Sequence, residues 1–111
     1  KQEKWKEYCA MIKEKVDAGD MKDREINQYC WNIYEKCDDQ AVIKTAAGWM
    51  DKVIGRSPQY AYIDTYAALL YKSEQFETAE KYALEAIEAG KKENTDVKDT
   101  EKLLEKIRSG K

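Results

Sequence analysis

Residues 63–87, IDTYAALLYKSEQFETAEKYALEAI, constrain the fold more than any other stretch of the chain. Apolar side chains at steps of three and four mark two helical stripes. Ile63, Tyr66, Ala67 and Leu70 precede a tight turn, and Phe76, Ala79, Ala83 and Ala86 follow it. Small residues stand where two helix axes come close, and large ones fill the space between. Such a pair of stripes suits an antiparallel helix hairpin and little else.

The remaining sequence extends the same pattern. A first helix, about 3–17, carries Trp5, Tyr8, Cys9, Ile12 and Val16. A second, about 21–37 and capped by Asp20, presents Ile26, Tyr29, Cys30, Ile33 and Cys37. Asp38 or Asp39 starts a third, about 39–54, with Val42, Ile43, Ala46, Trp49, Met50 and Val53. The fourth (58–72, opened by Pro58) and fifth (75–89) form the hairpin above, and the sixth, about 96–109, follows Asn94 or Thr95 with Val97, Leu103, Leu104 and Ile107. Gly19, Gly55, Gly90 and Gly110 each read as a left-handed residue closing a helix. Met11, Met21, Tyr60 and Tyr62 take no assignment. No segment alternates apolar and polar residues over a strand's length, so the expected class is all-α.

The second and third helices repeat the fourth and fifth. Cys30, Ile33 and Tyr34 fall on Ala67, Leu70 and Tyr71 at an offset of 37 residues, and Ala46, Met50 and Val53 fall on Ala79, Ala83 and Ala86 at an offset of 33. The longer connection Lys36–Ala41 absorbs the difference. This arrangement resembles tetratricopeptide repeats over residues 26–88. The departure lies at Glu74, where that family commonly has a glycine.

The resemblance implies one helical-repeat domain over 1–111, a stack of about six antiparallel helices in three hairpins. An N-terminal packing helix spans 1–20, helix pairs span 21–55 and 56–90, and a capping helix spans 91–111. It further implies a non-catalytic interaction module that binds a peptide or neighbouring domain in its concave face. The first helix of each pair lines that face, which nominates Asn27, Trp31 and Tyr34 with Asp64, Ala68 and Tyr71. Trp31 and Tyr34 have an alternative reading as core, and Asp64 as a favourable charge in the first turn of its helix.

The phrases DTYAALLY and AEKYALEAI are also similar to helical regions that follow thioredoxin-like domains in some bacterial exported proteins. That likeness implies a structural appendage of a thiol–disulfide protein, with an exported, periplasmic location and a thioredoxin-like domain earlier in the same chain. The sequence opens at Lys1 rather than at a methionine, as expected of a piece of a longer protein.

Composition narrows the other function classes. Twenty Lys and Arg are interspersed with 22 Asp and Glu for a net charge of −2, so no basic stripe exists to neutralise phosphates and nucleic acid is not an expected partner. No apolar run approaches the ~20 residues that cross a bilayer, so no membrane partner is expected either. The absence of histidine removes the commonest general base and metal ligand. Ser57, Ser73 and Ser109 therefore lack an activating partner, and neither catalysis nor a cofactor is expected. Cys30 and Cys37 lie seven residues apart on one helix, roughly 10 Å by helical rise, too far for a disulfide. With Cys9 they read as small buried apolar residues.

Overall fold

The computed structural model describes the backbone of residues 2–110 and the side chains of 4–110, and it is all-α. Six helices follow in order: α1 (Gln2–Asp17), α2 (Asp23–Lys36), α3 (Gln40–Arg56), α4 (Tyr60–Lys72), α5 (Phe76–Lys92) and α6 (Lys98–Gly110). From α2 onward each helix packs on the next, and α4 also touches α2 and α6. The radius of gyration is 13.5 Å.

Helix α4 is the hub. Ile63 and every residue from Thr65 to Leu70 are buried, so the helix is enclosed on almost all sides. The apolar stripe read from the sequence covers only part of this; Thr65, Ala68 and Leu69 are buried as well because neighbours lie on both sides of the hairpin. Ala67 of α4 and Ala79, Ala83 and Ala86 of α5 all have no exposed surface, and the two helices pack closely along their length. Methyl side chains at the crossing let the backbones approach, and Leu69, Ile33, Ile43 and Met50 fill the core around them. Complete burial of each such large side chain is worth about 1.5–3 kcal/mol.

α1 makes its backbone approach to α3 and reaches α2 through side chains, with Tyr8 edge-on to Tyr29 at 5.5 Å. Cys9 and Ile12 are its buried residues, whereas Trp5, Tyr8 and Val16 are half-buried and Met11 is 46% exposed. Met21, Tyr60 and Tyr62 are half-buried.

Helix ends differ from the expected ones in an instructive way. Three described residues adopt left-handed φ: Gly19 at 74°, Glu74 at 64° and Asn94 at 58°. Each closes a helix through the same bond, Asp20 N–H to Lys15 C=O, Gln75 N–H to Leu70 C=O and Thr95 N–H to Gly90 C=O, at 2.8–2.9 Å. Gly55 and Gly90 do not terminate their helices: α3 runs through Gly55 to Arg56 and α5 passes Gly90 to Lys92, whereas Gly110 is the last helical residue described.

Starts also shift. Asp39 caps α3 as expected, its Oδ1 accepting from Ala41 and Val42 N–H. α2 starts three residues after Asp20, with Glu25 accepting from the Lys22 N–H at 3.0 Å. α4 begins at Tyr60, two residues beyond Pro58, and its first N–H is met by Glu93 from the end of α5. Asp96, not Asn94 or Thr95, meets the first N–H of α6, accepting from Lys98 at 2.9 Å.

Two outcomes follow for stability. Ala67→Leu or Ala79→Leu should overpack the α4–α5 crossing and lower stability by about 1–3 kcal/mol in denaturant titration; an unchanged midpoint would contradict the close approach. Glu74→Gly should raise stability by about 0.5–1 kcal/mol, the left-handed penalty of about 1–2 kcal/mol less the extra chain entropy of glycine. A loss instead would show that the Glu74 side chain contributes more than its backbone strain removes.

Candidate functional site

Helices α2, α4 and α6 enclose a trough of about 540 Å³. Five of the six residues nominated from the sequence line it: Asn27, Trp31 and Tyr34 from α2, and Asp64 and Ala68 from α4. Ala68, with 1% exposure, forms its floor. Tyr71 lies outside, in an adjoining depression with Lys102, Lys106 and Ser109. The seven residues from Asp64 to Tyr71 advance the chain by roughly 10 Å, which carries the ring past the end of the trough.

The two readings of Trp31 and Tyr34 turn out to be compatible. Both rings are half-buried against the core and both line the trough, tilted against each other with centroids 5.0 Å apart. The Lys72 ammonium lies 5.8 Å from the Tyr34 ring centroid and donates to the Tyr34 carbonyl at the end of α2, so this ring already has a cation beside it. Trp31 has no such neighbour among the described residues.

Asp64 is the chemical centre. Its Oδ1 accepts from Thr100 Oγ1 at 2.7 Å, and Thr100 Oγ1 lies 2.6 Å from the Tyr60 hydroxyl. Thr100 has one proton, and an ionised Asp64 takes it, so Tyr60 donates in turn to Thr100. Burial holds the Tyr60 hydroxyl above its usual titration range, which keeps that proton in place. Burial also raises the Asp64 carboxyl above the ordinary aspartate range; the Thr100 bond opposes the shift and the nearby Asp99 charge adds to it. Asp64 is the fifth residue of α4 and lies beyond its first turn, so the reading of this carboxylate as a favourable first-turn charge does not hold.

In the same trough, Asn27 Oδ1 is buried with no hydrogen-bond partner among the described residues. Buried amide oxygens are nearly always bonded, so this one marks unsatisfied space.

Tyr60 owes its position to Gly90. A Cβ at Gly90 would meet Tyr60 Cδ1 at 2.9 Å and overlap Val97 more severely. The missing side chain lets the start of α4 and the α5–α6 connection close on α5, which brings Tyr60 and Thr100 together. A glycine that reads as a helix terminator is thus a packing site.

The sequence reading missed Thr100, Tyr60 and the rim residues Asp96, Asp99, Lys102 and Lys106. Thr100 did leave a signal. It lies on the seam of Leu103, Leu104 and Ile107 at helical spacing, and a fully buried polar residue there requires a partner. Asp99 and the lysines read as solvated charges, and they are exposed, but the turn of α6 places them along the trough.

The cysteines take no part. Cys9, Cys30 and Cys37 are free and buried; Cys30 Sγ lies 3.6 Å from the Ala46 carbonyl, and burial pushes all three thiols above their usual range. No three side chains of metal-binding type converge among the described residues, and no helix there is long and apolar enough to cross a membrane. Comparison with protein-family models finds no match, and no characterised protein or solved structure is significantly similar to the chain.

The raised Asp64 carboxyl sets a pH dependence. The folded state holds this proton more tightly than the unfolded chain, so the contribution of Asp64 to stability is full below the unfolded value of about 3.9. It is lost as pH rises through the folded value. At neutral pH the buried charge opposes folding. Asp64→Asn should therefore be more stable than the parent at pH 7, and the gap should close towards pH 3. Thermal unfolding of both proteins across that range checks this; a gap independent of pH would show that Asp64 stays well solvated.

Proposed function

We propose that this chain is a non-catalytic protein–protein interaction module, which holds a peptide or a neighbouring domain in the concave face of a tetratricopeptide-repeat-like stack. One observation carries the reading: three helices enclose a trough that combines a half-buried tryptophan with a half-buried carboxylate and a buried amide oxygen lacking a partner among the described residues. Its volume falls within the ~300–1,000 Å³ typical of ligand sites. Aromatic anchors beside a few fixed polar groups supply large contact area at low entropic cost.

A second reading, a structural appendage of a thioredoxin-like thiol–disulfide protein, draws support from α1. Trp5, Tyr8 and Met11 follow one another at three-residue steps, the first two half-buried and the last 46% exposed, so that helix presents apolar surface outward. The intact mass and N-terminal sequence of the native protein separate the two. An upstream domain with a C-x-x-C pair favours the appendage, and a chain that begins near Lys1 excludes it.

For the leading reading, the double variant Trp31→Ala, Tyr71→Ala should keep its helical circular dichroism. It should bind peptides selected by the parent from a randomised nonapeptide library at least about tenfold more weakly, the loss expected for two aromatic anchors. Undiminished binding would place the peptide elsewhere on the molecule.

A further inference from the structure

The trough is a site for one kind of side chain. Asp64 Oδ1 is held by Thr100, and Oδ2 accepts from no described residue. Thr100 and Tyr60 have committed their protons to the relay and offer nothing further to the carboxylate. Asn27 Oδ1 is a buried acceptor without a donor among the described residues. Rotating that amide would only exchange an orphan acceptor for an orphan donor, so the sign of the site rests on Asp64.

Asp96, just before α6, and Asp99, in its first turn, add negative charge along the trough. Lys102 and Lys106 follow Asp99 on the same face of α6 and also line the trough, yet neither forms an ion pair with Asp64, and the carboxyl stays raised rather than lowered, as a counter-ion would make it. The fold thus keeps a half-buried carboxylate with no ion-pair partner among the described residues. The Trp31 ring stands beside it, able to cover an aliphatic stem or face a positive charge.

Building on the peptide-groove reading, we infer that the trough between α2, α4 and α6 recognises a basic side chain, lysine or arginine, of a peptide partner. Its ammonium or guanidinium would bond to Asp64 Oδ2 and Asn27 Oδ1 while its stem lies along Trp31. An ammonium offers three donors and a guanidinium five, enough for every acceptor left open. An acidic partner would meet Asp64, Asp96 and Asp99 at short range, and a purely apolar one would leave both acceptors unsatisfied and more deeply buried.

The test uses the whole chain and a randomised library of acetylated, amidated nonapeptides, which removes terminal charges as competitors for the site. The parent protein should enrich lysine or arginine at one peptide position. In a selected peptide, norleucine in place of that lysine should weaken binding at least about tenfold, the scale of one charged hydrogen bond. Asp64→Asn should bring the lysine peptide down to the level of the norleucine peptide, and circular dichroism should show that the variant remains folded. Enrichment of peptides without a basic residue overturns the inference and leaves the groove reading standing. Equal binding of lysine and norleucine peptides by the parent does the same without relying on any variant. Equal affinity of Asp64→Asn and the parent for the lysine peptide moves the basic side chain away from the trough and overturns the assignment. A library that yields no enriched peptide removes the groove reading and the inference together.

Discussion

The structure depends on the close crossing of α4 and α5. Ala67, Ala79, Ala83 and Ala86 keep the two backbones near each other, and that nearness encloses α4 among α2, α3, α5 and α6. A helix with so many neighbours needs few polar positions, and Asp64 is the clearest exception. It points into the one side of α4 that its neighbours leave open, so the crossing that organises the core also exposes the carboxylate to a trough instead of to bulk water.

Stability and recognition oppose each other at that position. A largely desolvated carboxylate with one hydrogen bond, a second carboxylate nearby and no ion-pair partner among the described residues is unfavourable at neutral pH. Nothing in the packing of α4 demands it, since Ala68 on the same face fills its place with a methyl group. Thr100 and Tyr60 limit the cost without removing it, by holding one oxygen and leaving the other accessible. Asn27 adds an unsatisfied amide oxygen across the trough. The orphaned amide oxygen and the carboxylate share one cavity, where both are open to a hydrogen-bond donor.

The helix ends show why local signals mislead. Glycine closes a helix well because left-handed φ is free of steric penalty, and Gly19 does so here. Asn94 does the same because its short amide tolerates that region, and Glu74 because the α4–α5 hairpin demands a turn at that point whatever residue stands there. Gly90 has no role as a terminator. It is glycine because Tyr60 and Val97 occupy the space a side chain would need, and both come from elsewhere in the chain. The spacing around Gly90 resembles a helix end, whereas its cause is a contact with a residue 30 positions earlier in the sequence.

The sequence by itself determined the all-α class, the six helices to within a few residues, nearly the whole core and the α2 and α4 residues Asn27, Trp31, Tyr34, Asp64 and Ala68 of the trough lining. Those follow from periodicity: a stripe at steps of three and four must be buried, and the positions beside it on the same helix must share a face. Only the tertiary structure decided that Asp64, Thr100 and Tyr60 form one relay, that Tyr71 stands apart from Asn27 and Trp31, and that no lysine neutralises the site. These outcomes depend on how α6 turns and how closely it meets α4, distances that arise from packing between segments 36 to 40 residues apart. Periodicity along one helix carries no information about such distances. The buried threonine on an apolar seam was the trace that tertiary contact left in the sequence.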